Sequence, residues 1–212
     1  MAEEYLSLLA PLGCEDDGRG LELHAEPALA EKLRHEVEDL LGGDGPLVGI
    51  APGAAFGPSK RWSAERYGET ARALHDRIGA RCLLLTGPTE REIAQTVRAA
   101  AGIPLMQPLP SIAGLKAAIA QLNALICNDS GPRHIAVAFH IPTVCIIGST
   151  SPVYSEGPYE RGEVIREDVD CAPCQKPECS TDHRCMTRIT TDRVVESAMR
   201  VLRTDGNTAS SV

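Results

Sequence analysis

From residue 45 onward the chain alternates short uninterrupted apolar runs with longer amphipathic segments, and that alternation leaves few folds open. PLVGI (46–50), ARCLLLTG (80–87), IPLMQ (103–107), ALICND (124–129) and PTVCIIGS (142–149) read as strands. Between them, SAERYGETARALHDRIG (63–79), TEREIAQTVRAAAG (89–102), SIAGLKAAIAQLN (111–123) and GPRHIAVAFH (131–140) carry apolar residues at helical spacing. Strands without polar alternation are expected where helices cover both faces of a sheet. Strand and helix in turn predict an α/β domain with a doubly wound, Rossmann-like parallel sheet. Such sheets take their ligands at the carboxyl ends of the strands. The functional residues should therefore follow strands rather than precede them.

They do. APGAAFGPSKRW (51–62), TGPTERE (86–92), NDSGPRH (128–134) and GSTSPVYSEG (148–157) each follow a strand and contain glycine. The reverse connections, such as DRIGAR and AFHIP, carry mostly helix-ending glycine or proline. The first 44 residues differ: EEYLSLLAPLG suggests a helix, GLELHA a strand, and PALAEKLRHEVEDLLGGDG a second helix opened by proline and closed by glycine. The expected organisation is an edge unit over 1–44, a ligand-binding domain over 45–204, and a frayed polar tail over 205–212.

Each loop has its own chemistry. In 51–62, Gly53 and Gly57 would let backbone approach a ligand, and Lys60 beside Arg61 offers charge for phosphate, although the spacing is not that of a Walker loop. In 86–92, Thr89 and Glu92 fit a capping box, while Glu90, nearer the rim, could accept hydrogen bonds from ribose hydroxyls. In 128–134, Asp129 and Ser130 can cap a helix, Gly131 leaves the first amides open to an anion, and His134 lies one turn in on the face of Ser130. A plain turn does not need this many polar residues. The combination points to a diphosphate.

Composition narrows the partners. A formal charge of −8 argues against broad nucleic-acid contact, and no apolar run is long enough to span a bilayer. The start, MAEEYLSLLAPLG, lacks the basic region and apolar stretch of a signal peptide, which predicts a cytoplasmic protein. Of eight cysteines, Cys82, Cys127 and Cys145 sit in or at the end of apolar runs, where cysteine acts as a small hydrophobe, and Cys14 stands alone. The other four fall in the segment 171–185, where Cys171, Cys174, Cys179, His183 and Cys185 are candidate ligands of a structural zinc. Reduced thiols held by packing are the alternative.

PGAAFGPSKRW, LLLTGPTERE, NDSGPRHIAVAFHIPTVCIIGSTSP and CAPCQKPEC…HRCM together resemble the C-terminal half of the ADP-heptose:lipopolysaccharide heptosyltransferases, glycosyltransferase family 9, closest to the heptosyltransferase II type. The resemblance implies one half of a two-domain GT-B arrangement with the active site in the cleft between the halves. It implies that Lys60 neutralises the diphosphate of ADP-heptose with help from the Ser130 and Gly131 amides. Glu90 or a neighbour would reach the ribose, and His134 and Asp129 would organise the phosphate loop. The implied reaction is an inverting heptose transfer to the lipopolysaccharide core that needs no cofactor, at the inner face of the inner membrane. The family's base lies in the N-terminal half, onto which no residue here maps, so a separate N-terminal half is an expected partner. A nucleotide-sugar-binding module without catalysis, or a truncated remnant, is the rival reading, and a zinc-stabilised interaction domain a third.

Overall fold

The computed structural model describes residues 2–18, 20–108, 111–155 and 160–208. Among them the strands are β1 (Leu47–Ala51), β2 (Arg81–Leu84), β3 (Ala124–Asn128), β4 (Thr143–Ile146) and β5 (Gly162–Ile165). The helices are α1 (Ala2–Leu9), α2 (Pro27–Leu41), α3 (Ala64–Ile78), α4 (Arg91–Ala101), α5 (Ile112–Ile119), α6 (Gly131–Ala138), α7 (Arg184–Thr187) and α8 (Thr191–Thr208). All neighbouring strands pair in parallel, in the order β2-β1-β3-β4-β5. The doubly wound α/β architecture is the one the alternation predicts.

Successive strand residues go to opposite faces, as the pleat requires. Val48, Ile50, Cys82, Leu84 and Ile126 pack with α3, α4 and α8 on one side. Leu47, Ala51, Leu83, Leu125 and Cys127 pack with α2, α5 and α6 on the other. With both faces covered, every residue of β1 and β3 is buried, which is why these strands show no polar alternation. Cys82 is part of this core, and burial pushes its thiol up to about 12, so it is inert as a nucleophile or ligand.

Helix α3 illustrates how local sequence sets an element. The Ser63 hydroxyl accepts the Arg66 N–H at 3.3 Å as N-cap, and Gly79 closes the helix in the left-handed conformation. Between them Tyr67, Ala71 and Leu74 recur on one face and are fully buried against the sheet. Trp62, just before the helix, meets Tyr67 edge to face with ring centroids 5.0 Å apart.

From β1 the chain goes first to one side, to β2, and then returns past β1 to β3. The loops leaving β1 and β3 therefore part at the switch between these adjacent strands. That crevice is where an open parallel sheet binds ligands.

Four expectations are corrected. Residues 20–25 form no strand: Leu21 and Leu23 are exposed, and among the described residues no ladder supplies the segment's hydrogen-bond partners. Helix α2 is not an appended edge, because Leu33 and Val37 are buried in the sheet's second core, so the domain begins before residue 45. IPLMQ contributes one bridge, Met106 to Leu83, rather than a strand. The polar tail starts later than residue 205, since α8 runs to Thr208; residues 209–212 lie outside the described residues, as do 156 and 157 of the GSTSPVYSEG loop. Strand β5 and helices α7 and α8 complete the sheet and its cover where the apolar pattern defined no element.

Candidate functional site

The last residue of β3 organises the rim. Asn128 is completely buried, and its side chain makes four hydrogen bonds. Its Oδ1 accepts the Trp62 backbone N–H and the Tyr67 hydroxyl, each at 3.0 Å, and its Nδ2 donates to the carbonyls of Pro52 at 2.7 Å and Gly53 at 3.3 Å. One amide thus ties both ends of the 52–62 loop to the start of the 128–134 loop. All its bonding capacity is used, as burial demands.

Beyond it, Lys60 and Asp129 meet. Lys60 Nζ donates to Asp129 Oδ2 at 2.7 Å and lies 5.1 Å from the centroid of the Phe56 ring. Thr150, from the loop after β4, donates to the same Oδ2 at 2.9 Å, and Arg133 Nη1 reaches Oδ1 at 3.1 Å. Burial alone would push the Asp129 carboxyl up, but the bonds from Lys60 and Thr150 and the Lys60 charge outweigh it and hold the group below its ordinary value. Asp129 is therefore ionised and fully engaged, which disqualifies it as a base. His134 shifts downward, chiefly through burial and the nearby Arg133 charge, against the opposing pull of Asp129 and Glu160. Its imidazole is neutral at pH ~7.

Two cavities open at this rim. One, of about 450 Å³, is walled by Ala51, Leu85, Ile112, Leu115 and Ile135, with Gly53, Thr86 and Glu90 among its polar or open positions. The other, of about 400 Å³, is polar and lined by Lys60, Asp129, His134, Thr150, Tyr154 and Gln175. They share Ala55, Ser130 and Gly131. Ser130 is the N-cap of α6 but makes no side-chain cap; its hydroxyl leans to the Asn128 carbonyl at 3.4 Å. Capping by Asp129 or Ser130 is thus corrected: the acid serves Lys60, and the helix start faces the junction of the cavities. A Cβ on Gly131 would meet nothing within 4 Å, so the approach is open.

Glu90 is placed at the apolar cavity. Its Oε2 accepts the Gly87 N–H at 2.8 Å, and a Cβ on Gly53 would lie 2.0 Å from Oε1, so any side chain at 53 would displace this carboxylate. The Thr89–Glu92 capping box does not form, because α4 begins at Arg91 and Glu90 is its N-cap residue. Arg61 lines neither cavity; its Nη2 holds the Ala54 carbonyl at 3.2 Å, which makes it a brace of the loop. Of the residues expected at one site, Gly53, Lys60, Glu90, Asp129, Ser130, Gly131 and His134 do converge there. Phe56 and Thr150 join them in the lining, while Asn128 and Arg133 act from behind it, and each looks generic in the sequence alone.

The cysteine segment lies against the same loop. Cys171, Cys174, Cys179, Cys185 and His183 line one cavity of about 120 Å³ with Ser59 and Ser149. Among the described residues, however, no three histidine, cysteine or acidic side chains stand in metal-holding geometry. His183 Nε2 is engaged with the Ser59 carbonyl at 2.8 Å. What the segment does is hold Ser59, the neighbour of Lys60: the Ser59 N–H donates to the Pro177 carbonyl at 3.0 Å and its hydroxyl to the Lys176 carbonyl at 2.5 Å. Gly57 is part of the contact, since a Cβ there would lie 2.3 Å from the Pro177 oxygen.

No helix among the described residues is long and apolar enough to cross a membrane.

Residues 1–184 match the model of glycosyltransferase family 9 (heptosyltransferase). The lipooligosaccharide heptosyltransferase 2 of Haemophilus influenzae is 34% identical over 152 residues, covering 68% of this chain and 44% of that protein. The solved Escherichia coli ADP-heptose lipopolysaccharide heptosyltransferase II superposes with a TM-score of 0.68 at 23% identity, over 87% of this chain and 54% of that one. A family 9 glycosyltransferase from Veillonella parvula superposes with a TM-score of 0.82 at 24% identity, over 96% and 60%. The chain spans about half the length of the curated relatives it matches. An α/β sheet with this rim and this sequence match has one family to go to: the chain belongs to glycosyltransferase family 9, the heptosyltransferases.

Proposed function

We propose that this chain is the donor-binding half of a heptosyltransferase that uses ADP-heptose to build the lipopolysaccharide inner core. The observation that carries the reading is the junction of two unlike cavities at Ser130 and Gly131, one walled by aliphatic side chains and one lined by polar side chains with the Lys60 ammonium among them. A nucleoside diphosphate has the same two parts. The adenosine would lie among Leu85, Ile112, Leu115 and Ile135 with its ribose towards Glu90, and the diphosphate would cross the start of α6 to Lys60. Transfer breaks the bond between the anomeric carbon and the diphosphate oxygen as an acceptor hydroxyl attacks from the opposite face. This half contributes by stabilising the charge on the departing ADP through Lys60 and the α6 amides. The proton of the acceptor hydroxyl goes to a base in an N-terminal half, supplied as a further segment or a separate chain. No metal enters this reading, and the cysteine segment acts as a brace of the Lys60 loop. The protein would work in the cytoplasm, at the inner face of the inner membrane where its acceptor is anchored.

Calorimetric titration with ADP and with ADP-heptose tests this. Saturable binding of one ligand per chain, with the sugar adding little, is expected; no binding of either at millimolar concentration removes the reading. Because the chain spans half of its relatives, a nucleotide-sugar-binding module without turnover is the second reading. Heptose transfer on adding an N-terminal half of the family decides between them.

Proton linkage gives a sharper expectation. His134 has a lowered affinity for protons in the empty site, and the groups around it are Arg133, Lys60, Asp129 and Glu160. A diphosphate in the same cavity adds negative charge and raises that affinity again. Near pH ~6.5 the wild-type chain should take up more protons on binding ADP than His134→Gln does, read from binding enthalpies in buffers of different ionisation heat. Equal uptake in the two proteins would remove His134 from the phosphate site.

A further inference from the structure

We propose that Arg133 is a positioning residue of the donor site, one that sets the Lys60 ammonium for the diphosphate through Asp129 without touching the ligand. The inference rests on the nucleotide reading above and goes beyond it, because this arginine lines neither cavity.

Arg133 is completely buried, which is rare for arginine and requires a built environment. Its Nε and Nη2 grip the two carboxylate oxygens of Glu160 as a fork, each at 2.7 Å. Its Nη1 then divides between the Ser155 hydroxyl at 3.0 Å and Asp129 Oδ1 at 3.1 Å. Glu160 is itself fixed, since Oε1 also accepts the Thr143 hydroxyl at 3.1 Å from the first residue of β4. Burial opposes the guanidinium's charge, but the Glu160 carboxylate outweighs it and holds the group firmly protonated.

The consequence falls on Asp129. With Oδ1 held by Arg133, the carboxylate can turn only so as to give Oδ2 to Lys60 and Thr150. Its negative charge is divided between two cations, so the Lys60 ammonium keeps attraction to spare for an anion in the polar cavity. An Asp129 free to rotate would either take Lys60 wholly to itself or release it into solvent. The chain fixes this choice with two carboxylates on either side of one guanidinium, Asp129 four residues before it, just ahead of α6, and Glu160 two residues before β5.

The test separates phosphate recognition from nucleoside recognition. In Arg133→Lys the charge stays near Asp129, but the fork to Glu160 is lost. The paired variant Arg133→Met with Glu160→Gln removes both buried charges together, so that neither is left alone should the single variant fold poorly. Folding is checked by circular dichroism and thermal melting. ADP is measured by calorimetry, and adenosine by ligand-observed NMR. Both variants should lose about tenfold in ADP affinity while adenosine affinity stays within twofold of wild type. Either change combined with Lys60→Ala should bind ADP no more weakly than Lys60→Ala alone, because the two act on one interaction. Unchanged ADP affinity, equal losses for ADP and adenosine, or additive losses with Lys60→Ala would each overturn the proposal. A wild-type chain that binds neither ligand would instead overturn the nucleotide reading on which it rests.

Discussion

Lys60→Ala should cost about 3 kcal/mol of ADP binding, roughly a hundredfold in affinity at 25 °C, and leave adenosine binding almost untouched. The ammonium is mostly buried and lies between Asp129 and Phe56, so its attraction to a phosphate is weakened little by solvent. Removing it does not strand its partner, because Arg133 and Thr150 still hold Asp129. The variant should therefore fold as the wild type does, and its defect should be one of ligand affinity. Lys60→Arg should recover only part of the loss, since a planar fork cannot occupy the same place between a carboxylate and an aromatic face. Raising the salt concentration should weaken ADP binding more in the wild type than in Lys60→Ala, because the variant has already lost the principal charge. Calorimetry of the three proteins at two ionic strengths reads all of this. An ADP affinity for Lys60→Ala within twofold of wild type would remove the phosphate assignment.

The sheet and most of the rim were legible in the sequence because they depend on local pattern. A buried parallel strand must be continuously apolar, and Leu47–Ala51 and Ala124–Asn128 carry that pattern plainly. The loops after these strands stand out because glycines and charges are conspicuous beside them. The failures have a common physical cause. GLELHA has an alternation suited to a strand, yet alternation cannot supply a neighbouring strand, and among the described residues no strand pairs with this segment. Thr89 and Glu92 are spaced for a capping box, but Glu90 is drawn instead to the Gly87 N–H and the open face of Gly53, and the helix starts later. The cysteine spacing does not reveal that His183 turns to Ser59, 124 residues away in sequence, so that the segment also braces the Lys60 loop. In the sequence Arg133 is simply one basic residue within NDSGPRH. Its i, i+4 relation to Asp129 was visible, but its burial depends on Glu160, 27 residues on. Local periodicity is readable from the chain; the partner that satisfies a polar group across the fold is not.

Asn128 is where that distinction has its largest energetic effect, and Asn128→Ala should destabilise the chain by roughly 3–5 kcal/mol. The substitution leaves four groups without their partner, the first three of them at buried bonds: the Trp62 N–H, the Tyr67 hydroxyl, the Pro52 carbonyl and the partly buried Gly53 carbonyl. Each unsatisfied group costs about 1–3 kcal/mol, and local relaxation recovers part of the sum. For a domain of this size the melting temperature should fall by about 10 °C. Tyr67→Phe, which removes a single bond to the same oxygen, should cost only about 1 kcal/mol, and much less when made in the Asn128→Ala background. Asn128→Asp keeps the accepting oxygen but loses both donated bonds and places a charge where no cation reaches Asn128 among its hydrogen-bond partners, so it should be as damaging as alanine. A destabilised Asn128→Ala protein that remains folded at low temperature should also bind ADP weakly, because the loops bearing Gly53 and Lys60 are no longer tied to the end of β3. A melting temperature within about 2 °C of wild type would mean that the amide is not the tie between these loops. A full loss of stability with unchanged ADP affinity would mean that the tie serves the fold alone. The expected result is both losses together, since the residue that closes the core at the end of β3 is also the first of the stretch whose Ser130 and Gly131 line both cavities.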